Sequence, residues 1–347
     1  MKAIVVQSLG GPQNLALVDL PAPSAGAGQV LIAVEAAGVG LVDVLLRQGA
    51  IPGSSAPGFV PGIEVAGTVI TVGEGVDRSW LERRVFTMVT GGGYAERVAA
   101  EASHLVPLPP TMKAVDAVAL GVNALVAEFI LRRARVKAGE RVLVRGASGG
   151  IGVMATQLAA RCGAVVAAAT SSVARGQRLL QLGASQVLDR AATSAGETPE
   201  GFDVILDPVA GPDTASFLGK LKQNGRMVVC GAAGGFPPPD FGMGALRAFK
   251  KSLTFAFFSL DSIATTERAA ALKEIFDSAA SGELKPVIDE ILALESASAA
   301  HAKLEAGGVF GKLVLVPSAF RRTPRPDVPA AKLAGAPAGG GERLPVS

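Results

Sequence analysis

Residues 141–152 read RVLVRGASGGIG, a short apolar strand that passes directly into a glycine-rich turn. An alanine-rich segment follows to about Arg161 and has the composition of a helix. Gly149 has no Cβ, so an anion can approach the backbone there, and Gly152 lets the helix pack tightly on the strand. The helix start also offers unpaired N–H donors and a partial positive charge.

This arrangement predicts a turn that binds the pyrophosphate of a dinucleotide, because the glycines stand between a strand and a helix. Ala147 replaces the first glycine of the common G-x-G-x-x-G pattern. The cofactor-binding residues that we predict in the turn are Gly146, Ser148, Gly149, Gly150, Ile151 and Gly152.

Helices and short apolar strands alternate on both sides of the turn. Helical periodicity runs from Val115 to Arg133, and apolar strands recur at residues 164–169, 187–188, 204–206, 226–230 and 253–257. Strands that alternate with helices indicate crossover connections and a parallel sheet. We therefore predict an α/β domain with a doubly wound parallel sheet over residues 119–283.

The rest of the chain has a different pattern. Residues 1–118 contain short strands separated by Gly and Pro turns, which predicts a compact β-rich domain. The predicted strands are residues 3–6, 30–34, 64–72, 84–88 and 94–99. Residues 284–317 hold two strands and a helix, too few for a domain of their own, so we expect them to rejoin the first domain. Residues 318–347 are rich in Pro, Ala and Gly without periodicity, and we expect a disordered tail.

Composition and charge exclude several classes of protein. The chain of 347 residues is 49% hydrophobic, 18% charged and 5% aromatic, with a net charge of +3. The segment from Ser318 onwards carries all of that charge, so the body is neutral. A neutral body with few aromatic residues argues against a nucleic-acid-binding surface, and an RNA-binding role would rest on the basic tail alone.

The cysteines and the apolar stretches bear on the compartment. Cys162 and Cys230 lie in apolar segments that we expect to be a buried helix and a buried strand. Two such cysteines do not form a disulfide framework, which favours a reducing cytoplasm. The longest apolar stretch, residues 114–131, is interrupted by Asp, Asn and Glu, so we expect no membrane-spanning helix.

Nucleotide preference is expected at the end of the next strand, where residues 168–175 read AATSSVAR. NAD-binding domains usually have Asp or Glu at this position, and none is present here. Small hydroxyls beside an arginine suit a 2′-phosphate, which needs hydrogen-bond donors and positive charge. Ser171, Ser172 and Arg175, with Arg190 after the following strand, therefore favour NADPH over NADH.

Five further blocks accompany the glycine-rich turn: Ala37-Gly38-Val39 with Asp43, Pro61-Gly62-Ile63-Glu64 with Gly67, Gly92-Gly93-Tyr94-Ala95-Glu96, Asp207-Pro208-Val209-Ala210-Gly211, and Gly311-Lys312-Leu313-Val314-Leu315. With these blocks the chain resembles, from Met1 to Pro317, the zinc-free quinone-oxidoreductase branch of the medium-chain dehydrogenase/reductase superfamily. The resemblance implies a GroES-like β-barrel domain (1–118 and 284–317) beside a Rossmann domain (119–283). The active site is then expected in the cleft between the two domains.

The resemblance also implies that no metal is bound. Zinc-dependent members have a Cys after the Gly-Val pair and a His before the Glu, where this chain has Gly40 and Ile63. A zinc site needs three protein ligands placed together. His104 and His301 are the two histidines of the chain, and both lie outside the implied site.

The resemblance implies further site residues. Backbone at Gly231, Ala232, Phe257 and Phe258 is expected to hold the nicotinamide amide, and the substrate pocket is expected at Gly40, Leu45, Ile63 and Val126. Quinone reductases often have Asn, Tyr and Thr where this chain has Gly40, Leu45 and Val126. Asn123 and Asp43 remain as polar catalytic candidates. Either could instead brace backbone, Asp43 in the barrel and Asn123 at the domain junction.

Proton supply restricts the expected reaction. Tyr94, the one tyrosine, stands in a block with a structural pattern, which leaves water as the proton source. Quinones and conjugated enones tolerate this, because delocalisation stabilises their reduced oxyanions. We predict an NADPH-dependent, zinc-independent reductase of quinones or conjugated carbonyls. The alternatives are an enoyl or 2-alkenal C=C reductase and an NADPH-binding protein without catalysis. Relatives commonly dimerise through an edge strand, here residues 253–258, so a homodimer is expected.

Overall fold

The first part of the chain is mostly strand in the computed structural model, which describes residues 1–51, 53, 55–194 and 201–321. Its elements are β1 (Lys2–Val6), β2 (Leu15–Asp19), β3 (Gln29–Val39), α1 (Leu41–Gln48), β4 (Glu64–Val72), β5 (Arg84–Met88), β6 (Arg97–Glu101) and β7 (Val106–Pro107). β1 pairs antiparallel with β2, and the long β3 pairs antiparallel with both β4 and β6. Valine, leucine and isoleucine side chains from these strands form one buried core.

The central part of the chain alternates strands with helices. Its elements are α2 (Ala114–Ala134), β8 (Arg141–Val144), α3 (Gly150–Arg161), β9 (Val165–Thr170), α4 (Val173–Gln181), β10 (Gln186–Asp189), α5 (Arg190–Ser194), β11 (Phe202–Asp207), α6 (Thr214–Gly219), β12 (Leu221–Val229), α7 (Gly242–Arg247), β13 (Thr254–Phe257) and α8 (Thr265–Ala280). The sheet is parallel throughout, with the order β10-β9-β8-β11-β12-β13. Because the strands are parallel, all six carboxyl ends lie along one edge of the sheet. The strand order reverses between β8 and β11, and a crevice is expected there at that edge.

The end of the chain returns to the first sheet. Its elements are β14 (Ile288–Ala293), α9 (Ala297–Glu305), β15 (Lys312–Val316) and α10 (Ser318–Arg321). β15 pairs antiparallel with β3 and parallel with β14, so this sheet runs β14-β15-β3-β4-β5-β7. The expected architecture, a β-rich domain joined to a doubly wound parallel sheet, is confirmed. The domain limits at 118 and 284 stay a prediction, and residues 322–347 of the expected tail lie outside the described residues.

Helix α2 joins the two sheets through the middle of the molecule. Among the described residues it alone is long and apolar enough to cross a membrane by length and composition, but 72% of its most apolar stretch is buried in the protein. It contacts α3, α8, β3 and β4, as a core helix does. Non-helical dihedral angles at Gly121 (φ 9°, ψ −117°) break it into two halves.

Three local expectations are corrected by the structure. A strand was expected over 94–99, but β6 begins at Arg97. Tyr94 belongs to the preceding loop, and the Tyr94 carbonyl accepts the Ile4 N–H. β2 was not predicted, since only its pairing with β1 makes this short segment a strand. Cys162 was expected to be buried, but it follows the last residue of α3 and is exposed.

Candidate cofactor and substrate site

The glycine-rich turn connects β8 to α3 at the carboxyl edge of the parallel sheet. Gly146 has φ 56°, in the left-handed region, and its carbonyl accepts the Gly149 N–H at 3.0 Å. Gly149 is the N-cap of α3, and a Cβ built on it would meet a single atom within 4 Å, the Gly146 oxygen at 3.4 Å. A Cβ on Gly152 would lie 2.6 Å from Ala147 Cα. Gly149 therefore leaves space in front of the helix, whereas Gly152 permits close packing behind it.

The turn is tied to the end of β9, where the nucleotide preference was expected. The Ser148 side chain is buried, and its Oγ lies 2.7 Å from Thr170 Oγ1. Ser172 caps α4 by accepting the Arg175 N–H at 3.4 Å, and Ser171 is exposed. Arg175 Nη1 donates to the Gly307 carbonyl at 3.1 Å. Ser171, Ser172 and Arg175 thus lie together at the start of α4. The Arg175 side chain is hydrogen-bonded to the loop before β15.

A cavity of about 310 Å³ lies beside these residues, at the ends of β8, β9, β10 and β11. Gly146, Ala169, Arg190 and Ala210 are among its lining residues, and the Arg190 side chain is exposed. Of the predicted cofactor residues, Gly146 and Arg190 therefore share this cavity.

A buried charge cluster that sequence reasoning missed borders the same cavity. Arg145 is 4% exposed, and it donates to Asp207 at 2.7 Å and to Asp213 at 2.8 Å. Burial raises the pKa of Asp207, and the Arg145 charge opposes that rise. Asp207 also accepts the N–H groups of Val209 and Ala210. A charged residue at the end of an apolar strand was the available signal, because such a residue needs a partner when it is buried.

The other predicted cofactor contacts follow β12 and β13 on the opposite side of the crevice. Gly231 and Ala232 follow Cys230, the first residue after β12, and are partly exposed. Phe258 stacks on Phe129, with ring centroids 6.4 Å apart, and its N–H donates to the Val229 carbonyl. The Phe257 side chain is 57% exposed. These backbone segments lie at the carboxyl edge of the sheet, where the nicotinamide end of a dinucleotide bound across the turn is expected.

Asp43 is buried and braces backbone in the barrel, as expected for the alternative to a catalytic role. Its side chain is fully buried, and its two oxygens accept the N–H groups of Gly40 at 2.9 Å and Gly62 at 3.0 Å. Burial raises the pKa of Asp43 from 3.8 to about 6, although these two hydrogen bonds and the Lys312 charge oppose the rise. Asp43 therefore clamps two loops, one at the start of α1 and one before β4.

Polar residues lie behind this clamp in the barrel. Tyr94 Oη is 3.2 Å from His301 Nε2, and both side chains are fully buried. Burial, helped by the Arg47 charge, lowers the pKa of His301 to about 3, so this histidine is neutral. Burial raises the pKa of Tyr94 well above its usual value, and the neighbouring Asp43 adds to the rise. His104 belongs to the barrel as well, in the turn after β6.

The predicted pocket residues differ in how much of each is exposed to solvent. Gly40, Leu45 and Ile63 are partly exposed, and two of them adjoin the loops that Asp43 clamps. Val126 is 7% exposed and belongs to the main hydrophobic core, so its place in the pocket wall stays a prediction. A side chain in the middle of a helix that is buried on nearly all sides packs against its neighbours.

Asn123 lies against the glycine-rich turn. Its side chain is 8% exposed and donates weakly to the Ala119 carbonyl at 3.5 Å. A Cβ built on Gly150 would lie 2.7 Å from Asn123 Cγ, so the amide packs on the first residue of α3. Asn123 is thereby brought to the cofactor side of the cleft.

Glu64 and Lys312 form a second buried charge pair that sequence reasoning missed. Lys312 Nζ donates to Glu64 Oε1, and the two residues are 3% and 1% exposed, respectively. Glu64 Oε2 accepts the Val122 N–H at 2.9 Å. Among the described residues no group of three or more His, Cys, Asp or Glu side chains could hold a metal ion.

Comparisons with known proteins show the family and the fold of this chain. Residues 26–110 match the alcohol dehydrogenase GroES-like domain, and residues 182–315 match a family described as zinc-binding dehydrogenase. The mouse quinone oxidoreductase is 34% identical over 91% of this chain and 98% of its own length. A mycobacterial protein complexed with NADPH superposes with a TM-score of 0.85 at 32% identity, covering 91% of this chain and 100% of that chain. The Escherichia coli quinone oxidoreductase complexed with NADPH gives 0.83 at 27% identity, with the same coverage.

Proposed function

Because this chain belongs to the quinone-oxidoreductase-like branch of the medium-chain dehydrogenase/reductase superfamily, we propose that it is an NADPH-dependent oxidoreductase that reduces a quinone or a conjugated carbonyl compound. The observation that carries the proposal is the open turn at Gly149, at the start of α3 and beside the crevice of the parallel sheet. Unpaired N–H groups at a helix start bind phosphate, and Gly149 leaves the space that the pyrophosphate needs.

The residues around the crevice fit NADPH. Ser171, Ser172 and Arg175 supply donors and positive charge for a 2′-phosphate, and Arg190 lines the adjoining cavity. No acidic residue stands at the end of β9 to repel that phosphate. Arg175 would exchange the Gly307 carbonyl for the phosphate, a stronger acceptor because it is charged.

Burial of the polar candidates supports an acceptor that needs no proton from the protein. NADPH, when bound, supplies the hydride, and the protein holds the acceptor near the nicotinamide. Asp43 is fully buried, Asn123 is 8% exposed, and Tyr94 is fully buried. Water is therefore the proposed proton source, and quinones and conjugated carbonyls suit it because their reduced oxyanions are delocalised. C=C reduction of an enone or enal fits the same cleft.

We also propose that the enzyme works without zinc and in the cytoplasm. Gly40 and Ile63 stand where zinc-dependent members of the superfamily have ligands, and neither side chain can bind a metal. The cytoplasmic location rests on Cys162 and Cys230, which are both free thiols.

The assay follows NADPH absorbance with panels of quinones and of conjugated enones, with a chelator present throughout. We expect oxidation that persists with the chelator and is about tenfold or more slower with NADH, because only NADPH carries the 2′-phosphate that Arg175 can bind. Arg175→Ala should reduce that preference, whereas Arg133→Ala, an exposed site on α2, should leave it unchanged.

Each other outcome of the assay has a definite meaning. Activity lost to the chelator would contradict zinc-free catalysis. NADPH binding without turnover on any acceptor would favour a non-catalytic NADPH-binding protein. Reaction with enones alone would favour the C=C reductase.

A homodimer formed through β13 is the proposed assembly. β13 pairs only with β12 within the described chain, so one edge is open. Phe257 of β13 is exposed, and the segment between β12 and β13 has four more exposed apolar side chains, namely Phe236, Met243, Leu246 and Phe249. Apolar unpaired edges favour pairing with another chain. Light scattering should give about twice the chain mass of 35.0 kDa, and a monomer mass would contradict the proposal.

A further inference from the structure

The Glu64–Lys312 pair connects the barrel to the cofactor turn at two points. Lys312 follows Gly311, whose N–H donates to the Ser148 carbonyl at 2.9 Å. Glu64 accepts the Val122 N–H, and the next residue, Asn123, packs on Gly150. Lys312 is therefore linked to the turn over 148–150 through Gly311, and Glu64 is linked to it through Val122 and Asn123.

The break in α2 makes the Glu64 contact possible. Non-helical angles at Gly121 interrupt the ladder of helical hydrogen bonds, and Glu64 supplies an acceptor for the Val122 N–H at the start of the second half. A Cβ at Gly121 would lie 2.6 Å from a Phe86 ring carbon and would also crowd the Glu64 carboxylate. A glycine is thus required where the carboxylate reaches the helix.

A second glycine makes room for the lysine. A Cβ on Gly38, in β3, would lie 2.7 Å from Lys312 Cε and 2.8 Å from Glu64 Cδ. β3 is also the strand with which β15 pairs, Gly38 lying opposite Val314. Gly38 and Gly121 therefore form a close-fitting space around one ion pair.

Stability alone does not explain a buried ion pair. Removing two charges from water costs several kcal/mol per ion, and well-packed apolar residues of similar volume often stabilise a protein equally well or better. A buried pair with defined partners can instead fix one arrangement of the elements it joins. Here those elements are β4, β15 and the second half of α2. Gly311, directly before β15, and Asn123 of α2 both contact the cofactor turn.

We propose that Glu64 and Lys312 are positioning residues, whose ion pair holds the barrel in register with the pyrophosphate-binding turn. The pair fixes Gly311 on the Ser148 carbonyl and Asn123 on Gly150, and so sets where NADPH lies relative to the barrel. The inference rests on the proposed NADPH binding. Wild-type protein that binds no NADPH would remove the proposed function before any variant is compared.

The test uses double variants, because a single change would leave an unpaired buried charge. E64L/K312M removes both the charges and the acceptor for Val122, whereas E64Q/K312M removes the charges and keeps an acceptor oxygen. R47M/E305L is the matched control, a partly buried barrel pair, 2.5 Å apart, that joins α1 to α9. The measurements are the NADPH dissociation constant from its fluorescence, the kcat and KM values, and the unfolding temperature.

We expect E64L/K312M to unfold at a somewhat lower temperature, because the Val122 N–H loses its acceptor. Its dissociation constant and its kcat should each be about tenfold worse, since small misplacements remote from the chemistry carry such costs. E64Q/K312M should recover part of the affinity, because it can still accept the Val122 N–H. The control should leave the affinity unchanged, whatever its effect on the unfolding temperature.

Two results would overturn the proposal. One is NADPH affinity and kcat near wild type in both double variants. The other is a loss of affinity in the Arg47–Glu305 control as large as that in E64L/K312M. If E64L/K312M does not fold, the NADPH dissociation constant and kcat of E64Q/K312M test the proposal: values near wild type would overturn it.

Discussion

Gly149→Ala should raise the NADPH dissociation constant about 100-fold, because one or two charge-assisted hydrogen bonds of about 1.5–3 kcal/mol each are lost. The new methyl group would occupy the space before α3 where the pyrophosphate has to approach the N–H donors. The fold itself should be nearly unaffected. Gly149 has φ −73° and ψ 169°, which alanine adopts freely, and its Cβ would meet one atom at 3.4 Å.

Gly152→Ala provides the contrast. Its Cβ would press on the Ala147 backbone at 2.6 Å, so this variant should lose folding stability. Fluorescence titration with NADPH and thermal unfolding of both variants separate the two effects. Unchanged NADPH affinity in folded Gly149→Ala would show that the pyrophosphate does not lie at this turn.

Asp43→Asn should lower kcat about tenfold, because the clamp on the two pocket loops is weakened. An asparagine has one side-chain acceptor oxygen, so the Gly40 or the Gly62 N–H would face an NH₂ group instead. A buried donor left without an acceptor costs about 1–3 kcal/mol. KM for NADPH should change little, because Asp43 lies in the barrel.

The same variant has a pH-dependent effect on stability. In the folded protein the pKa of Asp43 is raised from 3.8 to about 6, so its contribution to the free energy of unfolding is complete below pH 3.8 and is lost as pH rises through 6. The shift amounts to about 3 kcal/mol in total, of which about 1.4 kcal/mol falls between pH 5 and pH 8. The test is urea unfolding of both proteins at pH 5 and pH 8. The free energy of unfolding of Asp43→Asn relative to wild type should be about 1.4 kcal/mol higher at pH 8 than at pH 5. A pH-independent difference would contradict the raised pKa.

The sequence predicts best what local patterns encode. RVLVRGASGGIG carries its strand, its turn and its helix start within 12 residues, and alternating apolar segments predict the parallel sheet. The absence of acid after β9 is equally local. Each of these features depends on residues that are close together along the chain.

The contacts that define the barrel side of the cleft are long-range and were not predicted. Lys312 meets Glu64 across 248 positions, and Arg175 meets Gly307 across 132. Asp43 was a catalytic candidate because the sequence shows a carboxylate but not the Gly62 N–H that it accepts. Val126 was assigned to the pocket because relatives often have Thr at this position, and the sequence does not show that the side chain packs in the hydrophobic core.

The return of β15 to the first sheet has a consequence for folding during synthesis. Every strand of the parallel sheet has been made once residue 257 leaves the ribosome, so that sheet can form while the chain is still growing. Residues 37–39 of β3 must wait for residues 313–315, their partners. Closing so long a loop carries an entropic cost and leaves a strand edge unpaired in the meantime. During synthesis the unpaired edge of β3 in the barrel can therefore pair with the wrong strand or with another chain.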